Sequence, residues 1–475
     1  MPAIFMGTFN TMETQNLERR VYPLDPRELT EEQLAVVFAM TSRNPKPFDE
    51  IAQMVSEEKA SDFHERWVLN YGHASVAEHA IIHMAVENIS RLACDTLEDN
   101  RLASYTEKSS RYQAFNQGYY HTPVELNNNN ALLKVYIDTC NYLFHTYKEI
   151  SDKLKSYLEN ELPRRNQERD SSYNLRIHRE ATDTARFLLP SSALTNVGVT
   201  MNARSWEHAI RKLLSSHLEE ERELGVLLKE NGQKITPTLI KYAERNEYLV
   251  LSQNNSEHDT PPSDNLETLR DVRAELVHYD TEAECKLAST LIYRGSSQTY
   301  EEIYQEVKQM GQTGMEMVID KALADLGPHD IPLRELESVD YTFDLVMDYG
   351  AYREFKRHRM QTYIPQPMTV NLGYVIPDLI SKAGLEGQYK RAMDKSYSGF
   401  RQLNEVSPSL AQYVVTHGHL RRVLSKMNLR ECYHLFKLRT QPTAHFTIQK
   451  VVGQAMELAK QKHPILFKYL RLRSG

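Results

Sequence analysis

The chain has 475 residues, of which 41% are hydrophobic and 25% charged, and its formal net charge is −7. This composition is ordinary for a globular protein, and the length is sufficient for two or three domains. The negative net charge argues against a general polyanion-binding protein, and no run approaches eighteen apolar residues, so we expect neither a nucleic-acid partner nor a membrane span.

Helical patterns occupy the beginning of the chain. A capped helix is predicted from Thr30, and a second helix over residues 48–70 has its large apolar side chains on one face. Further on, Ser75-x-x-Glu78 has the spacing of a capping box. The apolar residues that follow recur with a helical period as far as Leu97, so we predict one buried helix there.

A polar segment, Glu107-Lys-Ser109-Ser-Arg111-Tyr112, follows that predicted helix. Arginine offers a planar fork of donors to an anion, and serine and backbone N–H groups can add further donors. The segment is therefore a candidate anion or nucleotide site. A solvated loop with surface ion pairs is the commoner alternative for such a sequence.

A linker is predicted near the middle of the chain. A long amphipathic helix is expected over residues 131–158, whereas residues 251–266 are polar, contain two adjacent prolines and show no periodicity. We therefore predict a first unit at 1–250, a linker at 251–266 and a second unit at 267–475. A division near the middle suggests a repeated unit.

The first unit resembles the flavin-dependent thymidylate synthases. That family has an opening Gly-His-x-Thr/Ser-x-x-Glu-His motif, an Arg-His-Arg triplet and then a Glu-x-Ser-x-Arg loop. Residues 72–79 match the opening motif, and residues 107–111 match the loop. The triplet is missing, because Asp99-Asn100-Arg101 occupies its place.

The second unit carries the motifs that the first unit lacks. The triplet is present as Arg357-His358-Arg359, and Asn428 begins a copy of the Asn-x-Arg-x-x-x-His pattern found at residues 202–208. The family ends this helix with an arginine, which is Arg439 here, whereas the first unit has Leu213. The loop motif is absent from the second unit, where prolines and a threonine stand instead.

The losses in the two units are complementary. In the resembled family the active site lies between subunits of a homotetramer, so a fusion of two subunits could keep one composite site while the reciprocal site decays. We predict a helix-rich α+β fold made of two tandem copies of that synthase fold, with one complete site in each chain. A homodimer would then reproduce the four-unit assembly.

The resemblance implies two sets of site residues. The implied substrate contacts are Glu107, Ser109, Arg111, Arg186, Glu354, Arg357 and Arg439, among which Arg357, Arg439 and Ser109 are the catalytic candidates, Ser109 as a binding group and not as a nucleophile. The implied flavin contacts are His73, Ser75, Glu78, Asn202, Arg204, His208, Arg357, Arg359, Asn428, Arg430 and His434. Glu354 departs from the family, which commonly has glutamine three residues before the triplet.

The resemblance also implies the reaction. We expect FAD-dependent reductive methylation of dUMP to dTMP, with methylenetetrahydrofolate and NADPH as co-substrates and the flavin carrying the redox chemistry. The alternatives are a diverged flavin-dependent enzyme acting on another pyrimidine nucleotide, and a non-catalytic scaffold that binds flavin or nucleotide.

Other signals are weaker. The four scattered cysteines form no Cys-x-x-Cys, which favours free thiols in a cytoplasmic protein. His79 and His83 have the i, i+4 spacing of zinc ligands on a helix, but no third ligand is evident, so we predict no metal. The basic cluster from Arg353 to Arg359 lacks interleaved aromatics and a recognition motif, so we predict no nucleic-acid site there.

Overall fold

The computed structural model describes residues 20, 22–24, 27–42, 44–70, 74–254 and 269–472. Within these residues the chain is rich in helix and contains two small antiparallel sheets, which confirms the predicted α+β class. None of the described helices is long and apolar enough to cross a membrane.

The described part of the first copy extends to residue 254. Its strands are β1 (Ile81–Ser90), β2 (Ala103–Glu107) and β3 (Leu194–Asn202). Its helices are α1 (Glu31–Met40), α2 (Phe48–Met54), α3 (Glu57–Phe63), α4 (Arg91–Leu97), α5 (Asn130–Glu161), α6 (Asp170–Ala185), α7 (Ala203–Leu214), α8 (Glu219–Gly232) and α9 (Glu247–Asn254). A short 3-10 helix, Arg186–Leu188, joins α6 to the segment before β3.

The described part of the second copy starts at residue 269. Its strands are β4 (Arg273–Tyr279), β5 (Asp340–Asp348), β6 (Thr362–Pro365) and β7 (Leu420–Asn428). Its helices are α10 (Ala283–Tyr293), α11 (Tyr300–Gln309), α12 (Gly311–Leu323), α13 (Tyr349–Phe355), α14 (Asp378–Lys382), α15 (Glu386–Asn404), α16 (Pro408–Ala411), α17 (Leu429–Arg439) and α18 (Phe446–Lys462). A 3-10 helix, Gln412–Val414, stands where Arg186–Leu188 stands in the first copy.

The two sheets share one topology. The first has the order β1-β3-β2, and the second has the order β4-β5-β7-β6, in which β5, β7 and β6 correspond to β1, β3 and β2. Glu107 lies opposite Val197 and Pro365 lies opposite Val423, each five residues before the last residue of β3 or β7. The strand register therefore makes Pro365 the counterpart of Glu107.

A pseudo-two-fold relationship joins the two copies. The Ser191 backbone N–H donates to the Val415 carbonyl at 2.8 Å, and the His417 N–H donates to the Leu189 carbonyl at 2.9 Å. Counted back from β3 and β7, Ser191 corresponds to His417 and Leu189 to Val415. Equivalent residues of the two copies therefore donate equivalent hydrogen bonds to each other, which is the pattern of an isologous dimer interface.

The apolar core is shared between the copies. One cluster of buried side chains includes Phe144 and Leu154 of α5 together with Met393 and Phe400 of α15. A separate cluster beneath the first sheet is centred on the fully buried Trp206. The copies therefore bury apolar surface against each other and form one continuous core across the pseudo-two-fold.

The helix predicted from residue 75 to Leu97 is wrong over most of its length. Residues 74–78 form one 3-10 turn, residues 81–90 are β1, and α4 begins only at Arg91, where Ser90 caps it. Since β1 pairs with β3, the pleat decides which side chains are buried. His79 and His83 consequently share no helix face, which removes the geometry considered for zinc.

The corresponding run in the second copy is also a strand, β5, and not the helix that its apolar spacing indicated. The predicted helix over 48–70 is divided, because Val55 adopts an extended conformation and Ser56 caps a new helix by accepting from the Lys59 N–H. Its last part, His64–Asn70, is a π-helix.

Two predicted helices are confirmed. Thr30 caps α1 in a reciprocal capping box with Gln33, and the helix predicted over 131–158 is α5. The predicted linker lies mostly outside the described residues. Its first four residues, 251–254, are the end of α9 and not a linker.

Candidate active site

A cavity of about 310 Å³ lies between the two copies. Both copies contribute to its wall, whose described residues are Arg91, Glu107, Lys108, Ser109, Ser110, Arg111, Tyr112, Arg186, Gly350, Arg353, Glu354, Arg357 and Arg439. Seven of these side chains are basic and two are acidic. So many cations around one small volume create a strong attraction for an anion, although the chain as a whole is negative.

The first copy supplies the deep end of this cavity. Ser109 follows β2, and its Oγ accepts a hydrogen bond from the Arg111 N–H at 3.2 Å, which shapes the turn. Asp183 on α6 accepts from Arg111 Nε at 3.0 Å and lies 2.9 Å from Arg186 Nε. Asp183 therefore orients both arginines, a role that sequence reasoning missed. Its only signal was the i, i+3 spacing from Arg186.

Arg186 is almost fully buried, yet it lacks a complete set of partners. Its residue exposure is 4%, and its Nη1 donates to Ser110 Oγ at 3.4 Å. Its buried Nη2 has no hydrogen-bond partner among the described residues. Buried donors of this kind are costly and uncommon, so a bound anion at Nη2 would complete the site.

The second copy supplies the opposite wall. Arg439, the last residue of α17, lies with its Nη1 3.2 Å from the Glu354 carboxylate, and its Nη2 donates to the Glu354 carbonyl at 3.0 Å. Burial lowers the pKa of Arg439, and the charge of Glu354 opposes that shift. Arg357 is different, because 55% of its side chain is exposed at the edge of the cavity.

Glu107 lies at the floor and is only 2% exposed. Its carboxylate accepts from Arg91 Nη1 at 3.0 Å, from Thr195 Oγ1 at 2.9 Å and from Arg353 Nη2. Burial by itself would raise the pKa of Glu107, but the charges of Arg353 and Arg91 outweigh it and lower the pKa to about 2. Glu107 thus pairs with arginines of both copies and holds them in place beside the cavity.

Two cations of the basic cluster noted in the sequence, Arg353 and Lys356, are buried. Arg353 is 7% exposed and Lys356 is 3% exposed. Arg353 pairs with Glu107, and Lys356 pairs with Asp95 and lies 3.3 Å from Glu98. These two cations therefore join the copies to each other and present no surface to a nucleic acid.

The second-copy flavin candidates Asn428, Arg430 and His434 line a neighbouring cavity of about 340 Å³. Asn428 caps α17 by accepting from the Glu431 N–H at 2.9 Å, and Arg430 pairs with Glu337 at 2.6 Å. Arg359 lies apart from them and donates to the Arg101 carbonyl at 2.8 Å.

This second cavity suits a flavin in its mixture of groups. Arg430 and His434 place polar groups on its wall, while Met360 is 68% exposed and Ile331 is 77% exposed there. Large apolar side chains that are so exposed beside polar donors are typical of a binding surface for an aromatic ring system.

The first-copy flavin candidates lie elsewhere, and none of those that the structure describes lines the composite cavity. Ser75 borders a separate cavity of about 750 Å³, and Glu78 pairs with Arg204 at 2.5 Å. Asn202 caps α7. Burial and the charge of Lys212 lower the pKa of His208. His73 lies outside the described residues.

The reciprocal position between the copies has lost its anion-binding character. Counted from the first residues of α4 and α13, Asp95 corresponds to Arg353. Asp95 pairs with Lys356 and lies 3.2 Å from Arg421 Nη1. A carboxylate between two cations therefore occupies the place that Arg353 takes at the composite cavity.

Direct contacts also fill the mouth of this reciprocal position. Asp99, the counterpart of Arg357, accepts a hydrogen bond from the Tyr363 hydroxyl at 2.8 Å. Arg101 donates to the Gln361 carbonyl at 3.0 Å. A cavity of about 90 Å³ lies beside Asp99 and Arg101, and it is less than a third as large as the composite one.

A family profile matches both copies. The family described as thymidylate synthase complementing protein matches residues 27–238 and again residues 275–465. This double match confirms the tandem arrangement and the resemblance that the motifs indicated.

The relatives described below match either most of this chain or slightly less than half of it. A UPF0159 protein of Chlamydia muridarum is 30% identical over 435 residues, which cover 87% of this chain and 81% of the relative. A flavin-dependent thymidylate synthase of Clostridium tetani is 28% identical over 214 residues, which cover 45% of this chain and 82% of the relative. A UMP/dUMP methylase from Streptomyces cacaoi matches 43% of the chain at 14% identity and a TM-score of 0.35, too weak a likeness to bear on function.

Proposed function

Because this chain belongs to the thymidylate synthase complementing protein family, we propose that it is a flavin-dependent enzyme that methylates dUMP to dTMP. Methylenetetrahydrofolate is the proposed one-carbon donor, and NADPH is the proposed reductant. The observation that carries the proposal is the cationic cavity to which the two copies contribute different arginines, Arg111 and Arg186 from the first and Arg357 and Arg439 from the second.

The deep end of the cavity suits the phosphate of the nucleotide. Arg111 and Arg186 share Asp183 as a common anchor, so their remaining donors are oriented before a ligand arrives. The unpartnered Nη2 of Arg186 and the serines at 109 and 110 supply further donors. Charge-assisted hydrogen bonds of this type are roughly twice as strong as neutral ones.

The other end suits the uracil ring. Arg439 and Arg357 would stabilise the negative charge that develops as the ring carbonyls and N3 polarise, which makes C6 a better acceptor of hydride. FAD supplies the hydride when it is bound, and Asn428, Arg430 and His434 are the residues that would hold it. Glu107, fixed beneath the cavity, would keep the wall of arginines rigid.

The proposal includes one complete site in each chain. The sequence losses are divided between the copies, and the reciprocal position has Asp95 and Asp99 where the composite cavity has Arg353 and Arg357. A homodimer of this chain would then contain two working sites and two closed ones.

The test is release of tritium from C5 of labelled dUMP, with purified protein, FAD, NADPH and methylenetetrahydrofolate. We expect release together with formation of dTMP. Binding of dUMP and FAD without release would instead favour the scaffold, and turnover of a different pyrimidine nucleotide would favour the diverged enzyme.

The diverged enzyme is the second candidate because of Glu354. A carboxylate accepts hydrogen bonds but donates none when it is ionised, whereas the glutamine of the family can do both. A side chain within 3.2 Å of Arg439 and 3.8 Å of Arg186 is close enough to influence which nucleotide fits.

A further inference from the structure

Two buried side chains hold Arg439 through contacts that the sequence motifs did not indicate. Its Nε donates to His358 Nε2 at 2.9 Å, and His358 Nδ1 lies 3.1 Å from Glu431 Oε1. The side chains of His358 and Glu431 are 2% and 4% exposed. The contact chain Glu431–His358–Arg439 therefore leads from the buried side of α17 to the wall of the composite cavity.

The hydrogen bonds of His358 determine which of its ring nitrogens carries the proton. The Nε of arginine always carries a hydrogen and cannot accept, so His358 Nε2 must be the unprotonated acceptor. The single ring proton then lies on Nδ1, where it is donated to Glu431. Burial lowers the pKa of His358 and so favours this neutral form, although Glu431 opposes the shift.

Every nitrogen of the Arg439 guanidinium is thereby placed. Nε is fixed by His358, Nη2 by the backbone carbonyl of Glu354, and Nη1 by the Glu354 carboxylate. The backbone of Glu431 is held at the start of α17, since its N–H donates to Asn428 Oδ1 at 2.9 Å. The guanidinium of Arg439 is thus held in one orientation toward the cavity, and preorganised charge stabilisation requires such a fixed orientation.

We propose that His358 and Glu431 are positioning residues that hold Arg439 in the orientation needed at the ring of the nucleotide. The inference rests on the proposed function for its consequence in catalysis. Its structural content, one tautomer of His358 bonded to both neighbours, stands independently of that function.

Two substitutions at His358 separate positioning from simple packing. The side-chain amide of glutamine reaches about as far as Nε2 of histidine, so His358→Gln can still accept from Arg439. The amide of asparagine reaches only to the position of Nδ1, so His358→Asn keeps the contact with Glu431 and leaves Arg439 without an acceptor. We expect kcat for tritium release to stay within roughly threefold in the first variant and to fall roughly tenfold or more in the second.

The affinity for dUMP changes less than kcat in His358→Asn, since the oriented charge matters most in the transition state. Equal losses of kcat in both variants would overturn the proposal, because they would indicate packing alone. Wild-type activity in His358→Asn would overturn it as well.

The pH profile supplies a readout that packing would not move. The charged and titratable groups that face His358 are Glu431, Arg439 and His434, whose ring centre lies 5.0 Å away. Protonation of His358 would place an N–H on Nε2 against the N–H of Arg439 and break the hydrogen bond between them. Wild-type kcat should therefore fall at acid pH, with an apparent pKa below the usual range of histidine. This acid limb should be absent from His358→Gln, and its persistence there would contradict the proposal.

The tautomer distinguishes a failure of this inference from a failure of the proposed reaction. Nitrogen-15 solid-state NMR of histidine-labelled, ligand-free protein, with His358→Gln as the difference spectrum, reports which ring nitrogen carries the proton. We expect protonated Nδ1 and bare Nε2. If the wild-type protein releases no tritium, the reaction fails, and this spectrum alone decides the positioning chain. A proton on Nε2 would overturn it.

Discussion

Arg186 of the first copy lies with its Nη2 3.8 Å from the carboxylate of Glu354 in the second copy. That nitrogen is buried and has no hydrogen-bond partner among the described residues. The carboxylate is near enough to neutralise part of the local charge but too far to form a hydrogen bond. A phosphate placed at Arg186 would therefore meet both an unsatisfied donor and a neighbouring negative charge.

Glu354→Gln should consequently strengthen the binding of dUMP, by roughly tenfold, because it removes a like charge from the vicinity of the phosphate. Calorimetric titration with dUMP measures the change, and titration with inorganic phosphate isolates the contribution of the anion. Glu386→Gln, an exposed position that pairs with Lys390, is the control. Weaker binding in Glu354→Gln would mean that the carboxylate contacts the ligand favourably, as in a diverged enzyme.

The pseudo-two-fold provides a matched pair of variants for the composite site. Arg111→Ala should lower kcat/KM for tritium release by roughly a hundredfold or more, since it removes a charge-assisted contact to the phosphate. Thr369 lies four residues after Pro365, as Arg111 lies four residues after Glu107, and is therefore the counterpart of Arg111. Thr369→Ala should leave kcat/KM within roughly twofold of the wild-type value. Equilibrium dialysis should find one dUMP bound per chain. Two per chain would show that the reciprocal position still binds nucleotide.

Complementation between inactive variants distinguishes a site within one chain from a site shared by two. The cavity is lined by both copies of a single chain, so mixed dimers of Arg111→Ala and Arg357→Ala should recover no activity. Tritium release after unfolding and refolding the mixture is the measurement, with each variant refolded alone as the control. Recovery to about a quarter of wild-type activity or more would assign the site to the contact between chains.

Glu107→Gln should destabilise the fold by about 3–5 kcal/mol, because it leaves the buried charges of Arg91 and Arg353 without their common partner. Denaturant unfolding followed by circular dichroism measures this loss. Arg357→Ala removes a mostly exposed cation 3.9 Å from the same carboxylate and should cost less than about 1 kcal/mol. Similar losses in both variants would contradict the buried ion-pair role.

Glu221 should make stability depend on pH. It is buried on α8, accepts from Thr96 Oγ1 at 2.5 Å, and burial raises the pKa of its carboxyl to about 7. A raised folded pKa means that the folded state binds the proton more tightly, so its contribution is complete below about pH 4.5 and is lost as pH rises through about 7. That loss amounts to about 3 kcal/mol.

Glu221→Gln should therefore stabilise the protein at pH 8 and have little effect at pH 4.5. Thermal unfolding at the two pH values tests this, and Glu223→Gln, at an exposed position of the same helix, is the control. A stabilisation that is equal at both pH values would exclude titration of Glu221 as its cause.

The sequence alone was sufficient to predict features that depend on residues close together in the chain. The Thr30 cap and the amphipathic period of residues 131–158 predicted α1 and α5, since capping and helical spacing are decided within a few residues. The tandem copies followed from motifs whose internal spacing is kept in each copy. Likewise, the loss of the motif arginines at Asp99 and Leu213, and their retention at Arg357 and Arg439, could be read directly from the sequence.

Tertiary structure decided what depends on distant partners. The apolar run after residue 80 fits a helix or a strand by its spacing, and only pairing with β3, over a hundred residues further on, selects the strand. Glu107 was predicted to contact the substrate, and only the fold shows that cations from both copies surround its carboxylate at the wall of the cavity. Asp183 and Glu431 have no motif of their own, and the triplet that contains His358 does not indicate its contact with Arg439. These roles exist only where the fold places the three side chains against Arg186 and Arg439.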